Sequence, residues 1–187
     1  MINVLYIHGY NSSSTSPSVK ITQLENEFKT VYRIAPNYDL GYEATLKEVL
    51  DFVKHINSEE DAFVDALIGT SMGGYLSAVI AEKLVIPFVC INPVIYPSIT
   101  LEKYGLYSNV LSSYPDFLLD GKTSALALIG MKDSVIDPIQ SLALLSSEMP
   151  IIEADACHQF PDLSNWIGDI ADFLYSVSAY GPSKSIK

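Results

Sequence analysis

Residues 69–74 read Gly-Thr-Ser-Met-Gly-Gly and lie between a short apolar run at 65–68 and a run of helical period at 75–84. A G-x-S-x-G pattern between a strand and a helix is typical of the nucleophile elbow, a sharp turn that exposes a serine hydroxyl. Small residues two positions before and after Ser71 let neighbouring backbones approach. The stretch makes Ser71 the candidate nucleophile, and the alternative is a glycine-softened turn with a serine N-cap.

The rest of the chain repeats this strand-then-helix alternation. Residues 43–57 have apolar side chains at the spacing of one helix face, and an apolar stripe runs from Leu163 to Val177. Ser16-Pro17 and Asp137-Pro138 each match an N-cap followed by a first helical position. The alternation predicts an α/β fold, a minimal and mostly parallel sheet of about six strands with helices on both faces. The elbow within this alternation is typical of the α/β-hydrolase fold. The predicted strands are 4–7, 30–34, 65–68, 88–91, 125–129 and 150–154.

Length and composition indicate how the chain is divided. With 187 residues, 49% of them hydrophobic, we expect one domain over residues 1–180 and a flexible tail at 181–187. Residues 96–122 depart from the alternation and carry the aromatic side chains of Tyr104, Tyr107, Tyr114 and Phe117 in addition to Tyr96. This segment is either an insertion that walls a pocket or an irregular crossover with buried aromatics.

The charge balance limits the classes of partner. A formal net charge of -11 repels phosphate backbones and anionic lipids, so neither nucleic acid nor a membrane surface is an expected partner. It also mildly disfavours anionic substrates, although a local pocket can oppose the global charge. The chain shows no signal peptide or membrane span, which predicts a cytoplasmic protein. The two cysteines, Cys90 and Cys157, form no disulfide framework, and we expect both to be buried thiols.

A serine nucleophile needs a base, and the chain has three histidines. His55 falls on the helical run at 43–57, where a surface position near the helix end is expected. His8 precedes Ser71 in the chain. Hydrolases of this kind order their residues as nucleophile, acid and base, so His158, on the loop after the last predicted strand, is the candidate base. A solvent-facing loop histidine is the alternative for this residue.

The acid of the triad is expected on the loop after the penultimate strand, where it orients the imidazole. Asp133 is the first choice on that loop. Asp137 precedes a proline and is better explained as a helix cap, and Asp155 lies on the same loop as His158. The alternative for Asp133 is a turn-forming aspartate.

The oxyanion formed during acyl transfer needs two N–H donors. We expect the amide of Met72, which directly follows the nucleophile, and the amide of Tyr10 in the loop after the first strand. In this interpretation His8 shapes the loop and is not the base. The mechanism requires no metal and no organic cofactor.

These residues together resemble a known family, the small bacterial α/β-hydrolase esterases of the YqiA/YcfP type. The resemblance rests on the elbow and on short motifs spread over most of the chain, at 6–13, 18–20, 91–93, 133–137 and 158–160. It implies an esterase for short acyl chains that uses Ser71, Asp133 and His158. Two departures from the family pattern are Lys132 before the acid and residues 155–157 before the base, where the family usually has glycines.

We therefore expect a serine hydrolase whose partner is a small-molecule acyl ester. Cleavage of a thioester or an amide by the same residues is an alternative, since the sequence specifies the acyl-transfer chemistry better than the leaving group. A non-catalytic binding module with the same fold is another. The physiological substrate and the oligomeric state stay open.

Overall fold

The computed structural model describes residues 1–59, 62–103, 105, 108–117, 119 and 121–178. Within these residues the strands form one six-stranded sheet, and every neighbouring pair is parallel. The strands are β1 (Asn3–Ile7), β2 (Thr30–Ile34), β3 (Ala66–Thr70), β4 (Phe88–Ile91), β5 (Ala125–Gly130) and β6 (Ile151–Ala154). Their order in the sheet is β2-β1-β3-β4-β5-β6. The α/β fold predicted from the alternation of runs is confirmed.

All six predicted strands are present, with ends that differ by at most two residues from the prediction. The largest difference is in β3, which continues through Gly69 and Thr70 because these residues still pair with Cys90 and Ile91 of β4. In the sequence Gly69 indicates a turn, whereas in the structure it is part of β3, which ends at the residue before Ser71.

The helices cover both faces of the sheet. They are α1 (Val19–Glu27), α2 (Tyr42–Ser58), α3 (Met72–Leu84), α4 (Pro97–Glu102), α5 (Ser108–Leu111), α6 (Pro138–Leu145) and α7 (Ile167–Ser178), with a short 3-10 helix at Tyr38–Leu40. Buried side chains of α2, α3 and α6 pack on one face, and those of α1 and α7 pack on the other. None of the helices in the described ranges has the length and apolarity that a bilayer crossing requires.

Two of the predicted helix starts have different outcomes. Asp137 caps α6, since its carboxylate accepts a hydrogen bond from the amide of Ile139 at 3.0 Å. The prediction at Ser16-Pro17 is wrong, because α1 begins only at Val19 and the residue before it, Ser18, makes no side-chain cap. Residues 8–18 instead form an irregular loop that leads from the end of β1 to α1.

The segment at 96–122 both lines a cavity and contributes buried aromatic side chains, the two alternatives expected for it. Thr100 and Leu101 of α4 line a cavity above the sheet, whereas Tyr114 and Phe117 are buried in the core. Tyr114 donates a hydrogen bond from its hydroxyl to the carbonyl of Tyr38 at 2.8 Å. Tyr104, Tyr107 and the expected tail at 181–187 lie outside the described residues.

Candidate active site

Ser71 occupies the sharp turn between β3 and α3. Its backbone lies at φ 59° and ψ −122°, a positive φ that is uncommon for a residue with a side chain. The turn is tight enough to require glycines on both sides: a Cβ at Gly69 would lie 2.1 Å from the carbonyl oxygen of Gly73, and a Cβ at Gly73 would lie 1.9 Å from that of Ile7. The strain at Ser71 is therefore held in place by the packing of β1, β3 and α3.

His158 and Asp133 form a hydrogen-bonded pair. His158 Nδ1 lies 2.8 Å from Asp133 Oδ2, and the two side chains are 13% and 1% exposed. The other carboxylate oxygen accepts hydrogen bonds from the amides of Val135 and Ile136 at 2.7 and 2.9 Å. Since a carboxylate only accepts, Nδ1 carries the proton and donates the hydrogen bond to Asp133, and the lone pair of His158 lies on Nε2. This is the tautomer that a general base requires.

The other carboxylates considered for this role have different partners. Asp137 caps α6, and Asp155 is paired with the ammonium of Lys132 at 2.6 Å on the surface. The lysine that departs from the family pattern is thus held by Asp155, on the loop before the base. Asp133 accordingly keeps both of its oxygens for His158 and the two backbone amides.

A cavity of about 860 Å³ opens at the carboxyl ends of the strands. Ser71, His158 and Tyr10 all line it, together with the α4 residues Thr100 and Leu101. Asp133 lies behind His158 and is buried. The structure therefore brings Ser71 and His158, which are far apart in the chain, to the wall of one cavity.

One expected oxyanion donor directly follows the nucleophile, and the loop of the other passes near it. Met72 is the first residue of α3, and the first N–H groups of a helix have no acceptor within that helix. The loop that carries Tyr10 passes close to the elbow, since a Cβ at Gly9 would lie 3.1 Å from that of Ser71. The phenolic hydroxyl of Tyr10 donates to Asp39 at 3.2 Å.

His8 lines the same cavity but has surroundings unlike those of a base. Burial, with smaller contributions from the charges of Lys20 and Arg33, lowers the pKa of His8 to about 4. Its ring makes an edge contact with Tyr6, with the ring centres 4.8 Å apart. The carbonyl of His8 accepts a hydrogen bond from the hydroxyl of Tyr38 at 2.6 Å. The residue is thus neutral near pH 7 and supports the loop after β1. His55 lies on α2 and is exposed.

Asn92, directly after β4, is a supporting residue to which the sequence analysis assigned no role. Its side-chain amide donates to the carbonyls of Cys157 and His158 at 3.2 and 3.1 Å, and its oxygen accepts from the amide of Gly130 at 2.7 Å. Asn92 is 1% exposed and has a φ of 43°. It joins the base loop, residues 155–159, to the end of β5, after which the chain continues to Asp133. An Asn-Pro pair after a buried strand was the signal available in the sequence.

Lys20 is a second supporting residue without an assigned role. This lysine of α1 is only 8% exposed, and its ammonium donates to Thr70 Oγ1 at 3.2 Å and to the carbonyl of Gln159 at 2.7 Å. It thus contacts the residue before the nucleophile and the residue after the candidate base. The available signal was a lysine next to Ile21 on the buried stripe of α1.

The two cysteines differ in exposure. Cys90 is buried in β4, where burial raises the pKa of its thiol to about 12. The prediction that Cys157 is also buried is wrong, because Cys157 is exposed on the loop after β6. Among the described residues, no group of three or more His, Cys, Asp or Glu side chains is placed to hold a metal ion.

Comparison with known proteins identifies the family of this chain. The profile of the Uncharacterised protein family UPF0227 matches residues 3–175, and the chain belongs to that family. A UPF0227 protein of Pasteurella multocida is 25% identical over 181 residues, which cover 91% of this chain and 98% of that protein.

Solved structures with low sequence identity share the fold. The esterase Pf2001 of Pyrococcus furiosus superposes with a TM-score of 0.73 at 17% identity, covering 94% of this chain and 82% of that one. The α/β hydrolase GrgF from a Penicillium species gives a TM-score of 0.72 at 14% identity, covering 95% and 90%. These similarities identify the α/β-hydrolase fold.

Proposed function

We propose that this UPF0227 chain is a serine esterase that hydrolyses short-chain carboxylic esters through an acyl-enzyme intermediate. Ser71 is the nucleophile, His158 the general base and Asp133 the residue that orients the imidazole. The amides of Met72 and Tyr10 bind the oxyanion. The resemblance to YqiA/YcfP-type esterases and the esterase activity named for the Pyrococcus furiosus neighbour support the same reaction class.

One observation carries most of the proposal. The Asp133–His158 pair, joined at 2.8 Å, lies at the cavity that the strained Ser71 also lines. A buried aspartate that binds Nδ1 directs the basic nitrogen of the imidazole away from itself. A turn-forming aspartate and a solvent-facing histidine would not require this pairing.

The reaction follows from the roles of these groups. As Ser71 Oγ attacks the ester carbonyl, its proton passes to His158 Nε2, and the carbonyl oxygen becomes an anion that the two amides bind. His158 then gives that proton to the leaving alcohol, and the acyl group stays on Ser71. A water molecule repeats the sequence, and the acid is released. Asp133 stabilises the imidazolium in both halves of the reaction.

The first test is to change the nucleophile. Ser71→Ala should abolish labelling by a fluorophosphonate probe and lower kcat/KM for a short-chain aryl ester at least about a thousandfold. Thermal unfolding should stay near that of the wild type, because Ser71 makes no side-chain helix cap. The matched control is Ser147→Ala, which changes an exposed serine and should leave labelling intact. Labelling that persists in Ser71→Ala would exclude this serine as the nucleophile. A wild-type protein that resists the probe and hydrolyses no ester would instead favour a binding module.

A further inference from the structure

The cavity differs in charge from the protein as a whole. The chain has a net charge of -11, yet no Asp or Glu is found among the residues of the described ranges that line the cavity. Two histidines and Lys20 are its titratable nitrogen groups, and His8 is neutral near pH 7 because its pKa is lowered to about 4. Lys20 therefore supplies a local positive charge that the net charge of the molecule does not reveal.

The ammonium of Lys20 has no carboxylate partner within ion-pair distance in the described part of the chain. It lies 5.6 Å from the centre of the Tyr6 ring and donates to two neutral oxygens, those of Thr70 and Gln159. An ammonium has three protons to donate, so one remains beyond these two hydrogen bonds. A buried cation without a counter-ion is unfavourable, and an anion in the cavity would relieve that cost.

Several polar groups that contact Lys20 also line the cavity. Lys20, Thr70, Gln159 and Tyr6 all line it, so the ammonium and the groups it contacts lie together at the wall. Hydroxyl groups from the loop between β1 and α1 add further donors, at Ser12, Ser13, Ser16 and Ser18. The ammonium and the oxygens beside it fit an oxygen-rich group of a ligand better than the end of a long acyl chain.

We propose that the substrate is an anionic ester, whose carboxylate binds at Lys20 while Ser71 attacks the ester carbonyl. This proposal rests on the proposed esterase function and specifies its substrate class. A single ammonium, with no arginine among the described lining residues, fits one carboxylate better than a phosphate dianion, for which a forked guanidinium is the preferred partner. The natural substrate class is then a half-ester of a dicarboxylic acid or an ester of comparable charge.

The first experiment compares three methyl esters of matched acyl length. Monomethyl glutarate carries a carboxylate where methyl pentanoate has a methyl group, and dimethyl glutarate is a polar but neutral control. We expect the ratio of kcat/KM for monomethyl glutarate to that for methyl pentanoate to fall at least about tenfold in Lys20→Met. In Lys20→Arg, which keeps the charge, this ratio should fall less than in Lys20→Met. The ratio of kcat/KM for dimethyl glutarate to that for methyl pentanoate should stay at its wild-type value in both variants.

The matched control is Lys54→Met, which removes the same charge from an exposed position of α2 and should keep the wild-type ratio. An equal fall of the ratio in Lys20→Met and Lys54→Met would indicate a general effect of net charge and would overturn the proposal. An equal loss of activity toward the charged and neutral esters in Lys20→Met would also overturn it, since Lys20 would then only hold Thr70 and Gln159 in place.

A second experiment does not depend on catalysis. In an NMR titration of Ser71→Ala, monomethyl glutarate should bind at least about tenfold more tightly than methyl pentanoate, and Lys20→Met in the same background should remove the difference. Equal binding of the two esters would overturn the carboxylate site. If the wild type hydrolyses methyl pentanoate, the esterase function survives that result. If no ester is hydrolysed and a binding difference remains, the esterase function fails and the anion site stands.

Discussion

The elbow at residues 69–74 and the base loop at residues 155–159 hold their proposed catalytic residues in different ways. The elbow is fixed by close approach of backbones, since Gly69 and Gly73 leave no room for a Cβ against neighbouring carbonyls. The base loop is held by side chains from elsewhere in the chain, namely Asn92, Lys20 and Asp133. One region is thus specified by small residues in its own sequence, and the other by distant hydrogen-bond donors and acceptors.

This difference predicts how each region responds to mutation. A new atom in the elbow meets backbone that cannot move without shifting β1 and α3, so the free energy of unfolding of the whole protein should fall. After loss of a hydrogen bond, the base loop can relax. The position of His158, and with it activity, should therefore change more than the stability of the fold. Gly73→Ala tests the elbow, and Asn92→Ala tests the base loop.

The largest effect is expected for Gly73→Ala. The new Cβ would lie 1.9 Å from the carbonyl oxygen of Ile7, so β1 and α3 must separate. We expect a loss of about 3 kcal/mol or more in the free energy of unfolding, measured by urea denaturation. The matched control is Gly168→Ala in α7, where a Cβ meets nothing within 4 Å, and this change should be neutral or slightly stabilising. A Gly73→Ala protein of wild-type stability would show that the elbow is not rigid.

An intermediate effect is expected for Asn92→Ala. This variant removes two donors to the base loop and leaves the amide of Gly130 without its acceptor, which should cost about 2–3 kcal/mol of stability. Esterase activity should fall further than stability predicts, about a hundredfold, because His158 loses its support. Hydrogen exchange at residues 157–160 should accelerate. Asn109→Ala, at an exposed position of α5, is the control. Loss of stability without faster exchange in that loop would place the role of Asn92 elsewhere.

The smallest effect concerns the pH dependence of stability, and it arises beside the elbow, where the carbonyl of His8 would lie 2.9 Å from a Cβ at Gly73. The pKa of His8 is lowered to about 4 in the folded protein, against about 6.5 in an unfolded chain. The unfolded state thus binds more protons between these values, so the stability contributed by neutral His8 is complete above about pH 6.5 and is lost as the pH falls toward 4. Partial exposure of His8 reduces the expected loss to about 1–2 kcal/mol.

Urea denaturation of His8→Asn across that pH range is the measurement. The variant should show a shallower decline of unfolding free energy between pH 6.5 and 4 than the wild type. His55→Asn, which changes an exposed histidine on α2, should decline as the wild type does. An unchanged slope in His8→Asn would assign the pH dependence to other groups.

The sequence was most informative where a local pattern is sufficient. Buried parallel strands form short apolar runs, and all six were found within two residues of their ends. The elbow was visible because a turn this tight admits few residues other than glycine at positions 69 and 73. Chain order predicts His158 as the base, the loop after the penultimate strand predicts Asp133 as the acid, and the structure brings these two side chains into contact.

The sequence was least informative where distant residues meet. Lys20 and Gln159 are separated by 139 positions, and no local pattern predicts that the ammonium of one binds the carbonyl of the other. Asn92 likewise reaches a loop 65 residues away. At Ser16-Pro17 the local helix-start signal was overridden, since the loop after β1 continues over the cavity before α1 begins.

The unequal exposure of the two thiols makes the base loop accessible to chemical labelling. Cys157, next to His158, is on the surface, whereas Cys90 is enclosed in the sheet with its thiol pKa raised to about 12. A maleimide dye should therefore attach at one position of the unmodified protein, because only an accessible thiolate reacts. The dye would lie beside the cavity and report occupancy in real time, without a new cysteine having to be introduced.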